Sequence, residues 1–185
     1  QSQILPYIFK LNKEHDFDII SFEKQEKLVI NKAGLQTKLD SEKINWHPET
    51  YHKSPPVLST IWDLLVMYRK ARKIHKSNPY TIVHCRSHLT ALVGLRLKQR
   101  LGVKLLFDMR SFYPDERVDG RLWPQTNPIY KLIYKYFKSR EVELFNNCDA
   151  LVVLTHKAAQ LIPNFDNVAI SPDKITIIPC CADLD

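Results

Sequence analysis

The chain has 185 residues, 44% of them apolar, and a formal net charge of +7 with an isoelectric point near 9.2. That length supports one substantial core and leaves no room for a second full domain. A quarter of the residues are charged, aromatics are plentiful and there are only 4 glycines, which excludes a disordered chain. No apolar run approaches the ~20 residues that span a bilayer and no leader-like segment opens the chain, so a soluble cytoplasmic domain is expected. The positive charge favours an anionic partner, whether phosphate esters, nucleic acid or an acidic membrane face, without choosing among them or against a merely solvated basic surface.

In chain order, Ile4, Leu5, Ile8, Phe9 and Leu11 recur at helical spacing between Ser2 and Glu14, with Pro6 restricting the first turn. Phe17 to Phe22 reads as a short strand, Gln25 to Leu39 has roughly helical spacing, Ile44 to His47 suits another strand, and Pro48 to Pro56 reads as a loop. A helix is expected from Val57 to Ser77, with Leu58, Ile61, Leu65, Tyr68, Arg72 and His75 on neighbouring turns. Thr81 to Cys85, Leu89 to Leu101 with Gly102 behind it, and Val103 to Phe107 form a strand, helix and strand. A loop from Asp108 to Asn127 leads to a helix from Pro128 to Asn147, a strand from Ala150 to Leu154, a helix capped by Thr155 and running to Leu161, and a last strand from Ile175 to Ile178.

Alternating helices and continuous apolar strands predict a doubly wound, mostly parallel α/β sheet covered by helices on both faces. Ligands of such sheets lie beyond the C-terminal ends of the strands, near Glu23, His47, His84, Asp108, Leu154 and Pro179. Cys85, Cys148, Cys180 and Cys181 form no CxxC pair, so buried thiols in a reducing compartment are expected.

Two stretches at those strand ends carry chemistry. The first, His84-Cys85-Arg86-Ser87-His88, sets histidines, a guanidinium and a hydroxyl before a helix N-terminus, where an anion or a hydroxylated ligand would be held, or where Ser87 would simply cap the helix. The second, from Asp108 to Trp123, concentrates acids, arginines and aromatics. Arginine forks grip phosphate, carboxylates hold sugar hydroxyls or take their protons, and aromatic faces stack on sugar rings. The competing reading makes surface ion pairs of Asp115, Glu116 and Arg117 and core packing of Trp123. Asp115, Glu116 and Asp119 have no histidine at ligand spacing, so no metal is expected. No GxGxxG, P-loop or GxSxG motif occurs. The helix from Ile129 to Arg140 mixes aromatic rings with cations, which suits a membrane interface, although ordinary burial of Ile129, Leu132, Ile133, Tyr136 and Phe137 with the lysines in solvent is the reading preferred.

Taken in order, QSQILPYI, IVHCRSHLTALVG, KLLFDMRSFYPDERVDGRLW, Glu141 before CDALVVLT, and ITIIPCCADLD resemble the N-terminal domain of glycosyltransferase family 4 enzymes of GT-B fold. The resemblance implies that residues 1–185 are the acceptor-side, Rossmann-like half of a bacterial hexosyltransferase, without its first strand and without the C-terminal domain that holds the nucleotide-sugar. It implies retaining transfer from a nucleotide-sugar, as co-substrate and without metal or other cofactor, to a glycan or lipid-linked acceptor in cell-surface polysaccharide biosynthesis at the inner face of the plasma membrane. The fragment alone would be inactive. Arg110, which stands where many relatives have histidine, is expected in the catalytic cleft with Asp115 and Glu116. His84, Arg86, Ser87, His88, Arg117 and Trp123 are expected on the acceptor side, with Thr155 and Lys157 also at the cleft. An anionic membrane surface is an expected partner. The alternative is a non-catalytic module binding a glycan or a membrane. Nucleic acid is not expected, because the cations are dispersed and no recognised motif accompanies them.

Overall fold

The structure is a computed structural model that describes residues 4–55 and 57–180, with the side chains of 27–31 left aside. Ser2, Gln3, Pro56 and Cys181, on which parts of the expectations above fall, lie outside the described residues. The chain divides into two compact units, one ending at Ser77 and the other spanning Asn78–Cys180.

In the first unit the order is α1 (Leu5–Leu11), β1 (Asp18–Glu23), α2 (Gln25–Ser41), β2 (Asn45–Thr50) and α3 (Leu58–Ser77). Helix α1 carries Pro6 in its first turn, where a missing N–H is harmless. Strands β1 and β2 are parallel, with Asp18 beside Asn45 and Glu23 beside Thr50. Ile8, Leu39 and Ile44 form the buried centre, joined by Phe17, Ile19 and Trp46.

Two expectations shift here. Strand β2 runs through Pro48, a residue that the sequence alone assigns to a loop. The amides of Asn45 and Tyr51 donate to Phe17 and Glu23, so odd positions of β2 face β1 and Pro48 has its missing N–H on the other side. On α3 the stripe selected by spacing is exposed at Leu58, Ile61 and Leu65, whereas Ser59, Asp63, Ala71 and Ile74 are buried. Asp63 tolerates burial because His52 donates to it from both its backbone N and Nδ1, at 3.0 and 2.6 Å.

The second unit contains β3 (Ile82–Arg86), α4 (His88–Leu101), β4 (Lys104–Asp108), α5 (Tyr113–Asp119), α6 (Pro128–Asn147), β5 (Ala150–Val153), α7 (His156–Leu161) and β6 (Ile175–Ile177). The four strands are parallel in the order β3-β4-β5-β6. Side chains alternate across a strand, so one face of the sheet presents Cys85, Leu105, Phe107, Leu151 and Val153. These pack with Ala91 and Leu95 of α4 and with Leu144 and Phe145 of α6 in the main core. Gly94 lies against the sheet where a Cβ would meet Cys85 Sγ at 2.5 Å and Leu105 Cδ1 at 2.6 Å, so only glycine lets α4 approach this closely. Gly102 ends α4 in the left-handed conformation, its N–H bonded to Lys98 O.

The expected loop from Asp108 to Asn127 holds one further helix, α5. Pro114 in its first turn with Asp115 and Glu116 behind it is a helix-start pattern, and the acids complement the N-terminal dipole.

Candidate functional site

The alternate positions of β3 and β4, on the sheet face opposite the apolar core, build the charged site. Parallel register sets Arg86 directly beside Asp108, with His84 two residues earlier on the same face. Arg86 Nε and His84 Nε2 each lie 3.7 Å from Asp108 Oδ2, and Arg110 Nη1 lies 3.5 Å from Oδ1. Arg110 donates a long hydrogen bond to Oδ1, and the other two separations bring His84 and Arg86 within ion-pair range of the same carboxylate. Burial pushes the Asp108 carboxyl up, but His84 and the positive charges of Arg110 and Arg86 outweigh it and hold the pKa below the usual carboxylate value. Two guanidinium charges thus face a single carboxylate at the C-terminal end of the sheet, an arrangement able to take a phosphate or carboxylate. Arg110 also donates to Cys180 Sγ.

Ser87 follows at once with φ 98° and ψ 161°, a region nearly reserved for glycine, and it starts α4 without a side-chain cap bond. Its N–H donates to Asp108 O at 3.0 Å, which ties the end of β3 to the end of β4. Its Oγ lies 3.4 Å from Thr90 Oγ1. The simple capping reading of Ser87 therefore gives way to a strained junction at the sheet edge.

His88 is placed elsewhere than an acceptor surface. Its ring is 3% exposed, stands edge-on to Phe107, stacks on Tyr113 at 5.8 Å, and shares a 3.0 Å hydrogen bond between Nε2 and Glu141 Oε1. The ring is enclosed at the start of α4 by Phe107 of β4, Tyr113 of α5 and Glu141 of α6.

The other expected residues gather around α5 and α6. Asp115 accepts from Tyr134 Oη at 2.8 Å and from Lys138 Nζ at 3.0 Å. Glu116 is exposed and accepts from Ser111 Oγ. Arg117 lies over the Tyr113 ring at 4.8 Å, and Trp123 stacks on Phe137 at 5.3 Å with Tyr113 edge-on to it. These aromatic faces, which the sequence offered for sugar stacking, are largely engaged with one another, so packing is much of the role of Trp123. Thr155 accepts from the Ala158 N–H and caps α7, while Lys157 is exposed on its first turn.

Sequence reasoning passed over Asp108 as a site residue, and also Tyr134, Lys138 and the role of Glu141. The signal for Asp108 was a lone acid closing an apolar strand between His84-x-Arg86 and Arg110. The signal for Glu141 was a carboxylate in the buried arc of an amphipathic helix, between Phe137 and Leu144.

Of the described cysteines, Cys85 and Cys148 are buried free thiols, and burial pushes them up to about 12 and about 11. Cys180 is exposed, contrary to the expectation that all thiols are buried, because it follows β6 where the chain leaves the sheet. Among the described residues no group of three or more His, Cys, Asp or Glu is placed to hold a metal ion, and no helix is long and apolar enough to cross a membrane.

Helix α6 has two contrasting sides. Glu141, Leu144 and Phe145 are buried. Ile129, Leu132 and Tyr136 are 66%, 69% and 55% exposed, so the burial reading fails for these three. Ile133 and Phe137 are half-buried, as that reading required.

The profile of Glycosyltransferase Family 4 matches residues 9–185. Among solved structures the fold is similar to sucrose-phosphate synthase from Thermosynechococcus elongatus, with a TM-score of 0.55 and 13% identity. The match covers 90% of this chain and 48% of that one, so the chain spans about half the length of the structure it resembles. A search of the curated proteins finds no match.

Proposed function

We propose, because the chain belongs to Glycosyltransferase Family 4 and has the Rossmann-like architecture of a GT-B half, that it is the acceptor-side domain of a retaining hexosyltransferase. In this reading the whole protein moves a hexose from a nucleotide-sugar to a glycan or lipid-linked acceptor during bacterial cell-surface polysaccharide assembly. No metal or further cofactor takes part. The observation that carries the reading is the Arg86–Asp108–Arg110 cluster at the C-terminal end of the sheet. Its surplus positive charge would stabilise a departing or bound phosphate, and the carboxylate keeps both guanidinium groups aimed at one place. Asp115 and Glu116, opening α5 just beyond, are the acids offered to sugar hydroxyls.

The test is turnover of a nucleotide-sugar panel by the full-length protein with lipid-linked and soluble glycan acceptors. One donor should be turned over, and Arg110→Ala should lower its rate about 100-fold, the usual scale for losing one electrostatic contact to developing charge. No transfer or hydrolysis with any donor would sink the transferase reading in favour of a binding module.

The exposed Ile129–Leu132–Tyr136 stripe supports a place at the cytoplasmic face of an anionic membrane. Residues 120–137 include Arg121, Lys131 and Lys135 and not one acid, whereas Lys138 and Arg140 beyond them are paired with Glu141 and Asp115 and with Glu143. Apolar side chains flanked by cations match an acidic lipid surface. Co-sedimentation with phosphatidylserine vesicles should fall several-fold in Leu132→Ser/Tyr136→Ser, and equal recovery with neutral and anionic vesicles would exclude the electrostatic part.

A further inference from the structure

Glu141 is a fully buried carboxylate with both oxygens engaged: Oε1 with His88 Nε2 at 3.0 Å and Oε2 with Lys138 Nζ at 2.5 Å. Lys138 gives a second bond to Asp115 Oδ2, and Tyr134 Oη donates to Asp115 Oδ1. The groups lie in one line, His88–Glu141–Lys138–Asp115–Tyr134, drawn from the first residue of α4, from α5, and from three positions of α6 spaced i, i+4 and i+7. Such spacing puts Tyr134, Lys138 and Glu141 on one stripe of α6.

Burying a carboxylate costs several kcal/mol of hydration, and an apolar side chain of similar volume is often as stable or more so. Stability therefore does not account for an acid at this position, but geometry does. The two ends of the line are the two segments that carry the candidate site. At one end His88 follows Ser87, whose φ of 98° must be held by its surroundings. At the other end Asp115 sits on α5, a helix of 7 residues, too short to be stable without tethers. The Tyr113 ring, between His88 and Phe137, packs the same two segments together.

We infer that Glu141 is a positioning residue: from within the core it fixes the strained Ser87–His88 junction through His88 and, through Lys138, the orientation of Asp115 and α5. It touches no substrate. The inference deepens the proposed function and rests on it only for the activity readout.

The test is amide hydrogen exchange on the full-length protein, comparing wild type with Glu141→Gln and Lys138→Met. Glu141→Gln keeps the volume and removes the charge, so exchange should rise about tenfold in both 86–91 and 111–121 while β4 and β5 stay protected. Lys138→Met cuts the line between Glu141 and Asp115, so 111–121 should loosen and 86–91 should not. Under the transferase reading both variants lower kcat and leave KM for the donor nearly unchanged. Unchanged exchange in both segments, a uniform rise that includes β4 and β5, or the same pattern in both variants would each overturn the positioning role. Absence of turnover in the wild type would count against the transferase reading alone and leave the exchange pattern to decide this one. Should Glu141→Gln fail to fold, Lys138→Met carries the test: loosening of 111–121 alone supports the line, and equal loosening of 86–91 overturns it.

Discussion

Two buried carboxylates of the second unit, Asp108 and Glu141, meet their basic neighbours in opposite ways. Around Asp108 the basic groups stand 3.5 to 3.7 Å away at the open end of the sheet. Around Glu141 they close to 3.0 and 2.5 Å inside the core. A closely bonded pair inside the core is a fixed part of the framework, whereas under the proposed function the more widely spaced groups at the end of the sheet are the ones that face a ligand.

That comparison can be broken most sharply by stability. His88→Ala removes a buried ring and one partner of Glu141, and should destabilise the protein by about 3 kcal/mol in denaturant melts. Arg110→Ala should leave the melting midpoint within about 0.5 kcal/mol while turnover falls about 100-fold. If both variants lost stability alike, the open cluster would be framework too. Gly94→Ala tests the close seat of α4 on the sheet, and overpacking against Cys85 and Leu105 should cost about 2 kcal/mol.

The two regions should also fail at opposite ends of the pH range. The folded pKa of Asp108 is lowered, so its contribution is fully present above the ordinary carboxylate value of about 3.9 and is lost as pH falls through the folded value. Burial pulls Lys138 down, but the bonds and charges of Glu141 and Asp115 raise it on balance. Its contribution is complete below the ordinary value of about 10.4 and is lost as pH rises through the folded one. Thermal melts across pH should show Asp108→Asn flattening the acid limb and Lys138→Met the alkaline limb. A smaller effect is expected from Thr155→Ala, about 1 kcal/mol for a lost helix cap, with no change in either pH limb.

Most elements of the second unit were legible because their signals are local. Continuous apolar runs gave β3, β4 and β5, Gly102 marked the end of α4, and Pro128 the start of α6. In the first unit Pro48 concealed half of β2, since the sequence does not show which side of a strand lacks a partner. Helix α5 was hidden by reading a Pro-containing, highly charged segment as loop, although its first turn was written as Pro114-Asp115-Glu116. The α3 stripe misled because mean spacing finds an apolar side without telling which side the fold buries.

What the sequence determined by itself was the alternation of helix and strand, the parallel class of the sheets, the family resemblance and the two segments that bear the candidate site. Each of these depends on neighbours in the chain or on motif order. Only the tertiary structure decided that Arg86 stands beside Asp108, that His88 turns inward, that Trp123 stacks on Phe137, and that Glu141 meets His88 from 53 residues along the chain. Those are questions of register and of packing between distant segments. Spacing along one chain carries no information on which distant group a side chain will meet.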